Sequence, residues 1–125
     1  MSKSCFNYIT IICDCEIELN NFIADELKYK EEETREDIFY EEINVIKRGK
    51  KGIVFEITTM IKPDLQILHS LLKKHPKLWI KNEWNTEGGY AGIWMGCYNS
   101  DKMDIVHYHW SDSSIGKNSY FLDEE

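Results

Sequence analysis

His107 and His109 carry the sharpest chemical signal in the chain. Alternate side chains of an extended strand share a face, so the pair presents two imidazoles side by side. That spacing can chelate zinc or iron once further ligands arrive from elsewhere in the fold. Cys97, His69, His75 and Glu83 are the candidates, and a metal-dependent enzyme built on His107 and His109 is one expectation. The plainer alternative is a half-exposed strand that turns polar residues outward.

Other chemistry is less specific. Cys13 and Cys15 do not form a CxxC pair, and no second pair follows, so structural thiols are expected. Glu83 and Glu87 flank Trp84, and paired carboxylates can do acid–base work. With 22 acids in 125 residues, however, such a pair arises readily by chance. The glycine-rich stretch "WNTEGGYAGIWMG" reads as hairpin grammar rather than a phosphate loop. Gly88 and Gly89 make its turn, and Gly92 and Gly96 leave room beside large rings.

Aromatic residues and charge suggest binding instead. Trp94, Tyr98, Tyr108 and Trp110 are expected on one face of a C-terminal hairpin, with Tyr90 beside them. An open face of that kind can stack single-stranded RNA. It can equally pack under the chain's own tail, against a protein partner or in a homodimer, where Trp and Tyr burial supplies affinity. The net charge of −7 disfavours nucleic acid, as does the lack of a basic residue in "FNYITIIC". From Asp25 to Glu42 there are nine acids and three bases, a net of −6. Glu31, Glu32, Glu33, Glu36 and Asp37 are therefore either a solvated face or a docking surface for a basic protein. Such a surface can imitate the charge pattern of nucleic acid and block a nuclease.

The elements that must position these residues follow from periodicity. Phe6–Cys13 reads as a strand. Leu19, Phe22, Ile23 and Leu27 mark one helix face, with Asp14 as its cap. Ile43–Ile46 and Ile53–Ile57 form a hairpin, and Gly49 and Gly52 are expected to supply left-handed or bulge geometry at its tip. Pro63 opens a second helix bearing Leu65, Leu68 and Leu72, and Pro76 closes it. Three strands then follow within "KLWIKNEW", "YAGIWMGCY" and "MDIVHYHW". Periodicity fades from Ser111, leaving 111–125 as a C-terminal tail.

The order predicts one α+β domain over residues 1–125. It is a ferredoxin-like βαββαβ unit with a C-terminal β-hairpin extending an antiparallel sheet and two helices on one face. The N-terminus lacks the features of a signal peptide, and no apolar stretch is long enough for a bilayer, so a cytoplasmic protein without membrane contact is expected.

The segment from Lys62 to Gly96 resembles the C-terminal ferredoxin-like domain of YubB-type proteins of plasmids and phages. The shared features fall on Pro63, Pro76, Leu78, Glu87, Gly88, Tyr90, Ala91 and Gly92. "GIVFEITTM" is similar to that family's preceding strand, with Met60 where the family places a tryptophan. The resemblance implies the fold and an origin in a phage, virus or plasmid, and implies no activity. Together these readings favour a non-enzymatic interaction module acting inside a host cell. Single-stranded nucleic-acid binding and metal-dependent catalysis stand as the alternatives.

Overall fold

A computed structural model describes residues 4–27 and 43–111. Glu31, Glu32, Glu33, Glu36, Asp37 and the tail beyond Ser111 lie outside them. The chain runs β1 (Ser4–Ile12), α1 (Glu16–Phe22) continuing as a π-helical turn over Ile23–Leu27, β2 (Asn44–Arg48), β3 (Gly52–Met60), α2 (Leu65–Lys74), β4 (Trp79–Thr86), β5 (Tyr90–Asn99) and β6 (Lys102–Ser111). The strands form a six-stranded sheet in the order β2-β3-β1-β4-β5-β6, with each neighbouring pair antiparallel. The protein is thus α+β.

Alternation in β1 sets the two sides of the sheet. Cys5, Asn7, Ile9 and Ile11 are buried, whereas Phe6 and Ile12 are exposed. The ladders carry this parity across the sheet. Ile9 lies opposite Phe55 and Asn82, and Ile11 lies opposite Ile53 and Ile80. Leu19, Phe22, Ile23 and Leu27 pack into the same core as Leu68, Leu71 and Leu72 of α2. Each buried side chain of this size contributes about 1.5–3 kcal/mol of transfer free energy, which holds the two short helices to the sheet.

Local chemistry explains the ends. The Asp64 carboxylate accepts a hydrogen bond from the backbone N–H of Ile67 at 3.3 Å, capping α2. Lys73 and Lys74 sit in its last turn, where cations favour the helix dipole. The cap of α1 is Cys15 rather than Asp14, and its side chain makes no capping bond. Glu16 and Glu18 support that terminus by charge. The β2–β3 hairpin also departs from expectation, because neither Gly49 nor Gly52 has a positive φ. Its irregularity falls between Val45 and Lys47, where the register shifts. Left-handed backbone occurs instead at Gly89 (φ 91) in the β4–β5 turn and at Ser100 (φ 64) between β5 and β6.

Candidate functional site

Two regions bring together the residues singled out by type: the side of the sheet that, among the described residues, no element covers (the uncovered side), and a cleft at the start of α2 on the covered side.

The register between β5 and β6 corrects the expected grouping of aromatics. Trp94 lies opposite His107, and Ile93 lies opposite Tyr108. Trp94 and Tyr98 therefore share the helix side with the two histidines, while Tyr108 and Trp110 face the other way. The reason is the two-residue turn at Ser100 and Asp101, which pairs Asn99 with Lys102 and sets even positions of β5 beside odd positions of β6. Trp94 is only 2% exposed and packs in the core, and Tyr98 packs against that core. Trp94 offers no surface to a partner in this structure.

The uncovered side is still rich in apolar groups. Phe6, Ile12, Val106 and Tyr108 are all at least 40% exposed. The ladders place Tyr8, Trp79, Ile93, Met95 and Trp110 on the same side. A depression of about 520 Å³ runs past Tyr8, Thr10, Ile12, Lys47 and Val54. A second, of about 360 Å³, lies beside Phe6, Glu56, Thr58, Glu83 and Asn85. The charges placed on this side are Lys47, Lys81 and Lys102 against Glu56, Glu83 and Asp104, which cancel. Lys81 Nζ pairs with Glu83 at 3.4 Å.

On the covered side the sheet outruns the helices. His107 and His109 stand next to each other with ring centroids 5.1 Å apart, and Trp84 approaches His107 at 6.0 Å. A cleft of about 360 Å³ separates Trp84 and these imidazoles from Lys62, Asp64 and Gln66. Burial, reinforced by the neighbouring His109, pushes the pKa of His107 below the usual histidine value. Beneath this cleft runs a buried polar chain. The Asn82 amide donates to Asn7 Oδ1 at 2.9 Å, the Asn7 amide donates to Thr59 Oγ1 at 3.1 Å, and the Thr59 hydroxyl donates to the Lys62 carbonyl at 2.7 Å.

The proposed metal ligands do not converge. Cys97 lies opposite Asp104 and Glu83 opposite Tyr8, both on the uncovered side. His75 pairs with Glu26 at the far end of α2, and His69 rests near Trp94 at 6.0 Å between ring centroids. Among the described residues no group of three His, Cys, Asp or Glu side chains gathers in a metal-binding arrangement. Glu83 and Glu87 do not form an acid–base pair either, because Glu87 instead accepts from the backbone N–H of Ser4 at 2.7 Å.

Sequence reasoning overlooked Lys62, Asn82 and Trp84 as site residues. Asn82 carried a usable signal, since it is a polar residue on the inward alternation of an apolar strand. Lys62 carried none, because its placement depends on a turn in which Ile61 takes a φ of 72. No protein-family model, curated protein or solved structure matches this chain. Among the described residues, no helix is long and apolar enough to cross a membrane.

Proposed function

We propose that this chain is a ferredoxin-like, non-enzymatic interaction domain that binds a protein partner on its uncovered sheet face. In this reading β5 and β6 extend a βαββαβ unit whose strand order is that of the observed sheet. The observation that carries the proposal is the uncovered apolar surface around Phe6, Ile12, Val106 and Tyr108. With strands about 4.8 Å apart and about 3.3 Å per residue, the face covers about 700 Å². That approaches the roughly 800 Å² per partner of a standard protein interface. Tyr108 and Trp110 are anchors of the kind that dominate interface energetics.

The acidic residues Glu31, Glu32, Glu33, Glu36 and Asp37 steer encounter with a basic partner in this proposal. A host nuclease or defence factor fits such charge, and the YubB-type resemblance supports a mobile-element origin. A homodimer through the same face is the second form of the proposal. Single-stranded nucleic acid is less favoured, because the charges on the aromatic face cancel and give phosphates no net basic surface. Zinc at His107 and His109 is the remaining alternative, and it requires ligands beyond this pair.

The test compares capture of host proteins and sedimentation of the purified chain for wild type and for Tyr108→Glu and Phe6→Glu. A partner or dimer retained by wild type and lost in both variants supports the proposal. Equal recovery in all three, with unchanged mass, overturns it. Capture that survives these variants but fails when Glu31, Glu32, Glu33 and Glu36 become lysine moves the interface off the sheet.

A further inference from the structure

The cleft at the start of α2 lies on the opposite side of the sheet from the proposed partner surface and has its own chemistry. Two buried polar atoms of its lining lack a hydrogen-bond partner, Trp84 Nε1 and His107 Nε2. Trp84 is 8% exposed. An unpaired buried donor or acceptor costs about 1–3 kcal/mol. Two in one cleft call for a group that satisfies them.

The residue types define what that group is. An indole N–H only donates, so the partner missing from Trp84 is an acceptor. Lys62 lines the same cleft and brings an ammonium group. α2 begins there, and the N–H groups of a helix's first turn favour negative charge. The occupant is therefore an oxyanion. The Asp64 carboxylate, already accepting from Ile67, also stands at this cleft and penalises a second negative charge. Pro63 and Leu65 add an apolar wall. A monoanion with an apolar body fits this combination better than phosphate does. The volume of about 360 Å³ lies within the range of small-molecule sites.

The cleft is also held in shape. The hydrogen-bond chain from Asn82 through Asn7 and Thr59 ends on the carbonyl of Lys62. Ile61 sits at a φ of 72, a backbone region that β-branched residues avoid. The turn carrying Lys62 is thus fixed against the same buried asparagines that lie under the cleft.

We propose that this cleft binds a small carboxylate, with the Trp84 indole N–H and Lys62 holding its oxygens and His109 beside them. The chain has four tryptophans, so the test has internal controls. Benzoate is titrated into ¹⁵N-labelled protein at constant ionic strength, with chloride and inorganic phosphate in parallel, and the indole N–H resonances are followed. The Trp84 resonance is expected to shift saturably with benzoate, while those of Trp79, Trp94 and Trp110 stay in place. Lys62→Gln, at an exposed position, is expected to weaken the apparent affinity about tenfold, the loss of one charge-assisted contact. Trp84→Phe assigns the resonance if it folds, and His109→Gln supplies a second cleft variant if it does not. A drift shared by all four indoles overturns the proposal. So does a Lys62→Gln affinity equal to wild type, or saturation by phosphate without benzoate. Tyr108→Glu should leave the benzoate response intact, which separates this site from the partner surface.

Discussion

Trp84 fills the space that a side chain at position 92 would need. A Cβ on Gly92 would lie 2.6 Å from Trp84 Cε2 and 2.7 Å from the carbonyl oxygen of Tyr108. The indole of β4 thus crosses the bare backbone of β5 toward the histidines of β6, and the cleft depends on that bare backbone.

Gly92→Ala is therefore expected to destabilise the fold by about 2 kcal/mol, the usual cost of overpacking. The backbone oxygen cannot yield as a flexible side chain would. Urea denaturation of wild type and variant measures the effect. Gly96→Ala, where the added Cβ meets Trp94 Cη2 at 2.6 Å, should also destabilise.

The buried asparagines are a coupled pair. Asn7 donates to the carbonyls of Cys5 and Ile57 as well as to Thr59, and it accepts from Asn82. Asn7→Leu leaves the Asn82 amide unpaired in the core and should cost about 2–3 kcal/mol. Adding Asn82→Leu removes the orphaned partner, so the double variant should be more stable than the sum of the singles. A double-mutant cycle by thermal or urea unfolding measures the coupling, and strict additivity would contradict the contact.

Glu26 ties the π-helical turn to the end of α2. Its Oε2 lies 3.1 Å from His75 Nε2 and 3.0 Å from Lys74 Nζ, with the carboxylate and imidazole both buried. The edge of Phe22 meets the imidazole at 5.4 Å between ring centroids. Glu26→Ala is expected to cost about 3 kcal/mol, because it strands a buried imidazole as well as removing a charge pair. Hydrogen exchange should show the loss first at the end of α2.

His107 makes stability pH-dependent in a defined sense. Its folded pKa is depressed by burial and by His109, so the fold prefers the neutral ring. Below the unfolded value of about 6.5 the unfolded chain binds a proton that the folded chain resists. Stability from this group is present above that pH and is lost as pH falls through the folded pKa. His107→Gln should flatten the fall in urea midpoint below pH 6.5. An identical profile in the two proteins would count against the assignment.

Much of this architecture is legible in the chain itself. Period-two burial in β1 and the spacing of Leu19, Phe22, Ile23 and Leu27 identify a strand followed by a helix, because backbone geometry makes each pattern one-sided. Pro63 and the leucines after it mark α2 in the same way. The site was less legible. The two histidines were visible as a pair, yet their neighbours Lys62 and Trp84 come from distant segments that meet only through the sheet order.

The division between sequence and tertiary structure falls at strand register. Alternation alone determines that Trp94 shares a face with Tyr98, and Tyr108 with Trp110. It does not say which face meets which, because that depends on whether the connecting turn leaves an odd or an even pairing. The two-residue turn at Ser100 and Asp101 decides it, setting His107 beside the buried Trp94 and leaving Tyr108 exposed. A slip of one residue between β5 and β6 would bring Tyr108 and Trp110 to the side of Trp94 and turn both histidines to the other. The fit of Trp94 over Gly96 and beside Leu72 of α2 fixes which face of β5 is buried, and the length of the turn then fixes which side chains of β6 join it.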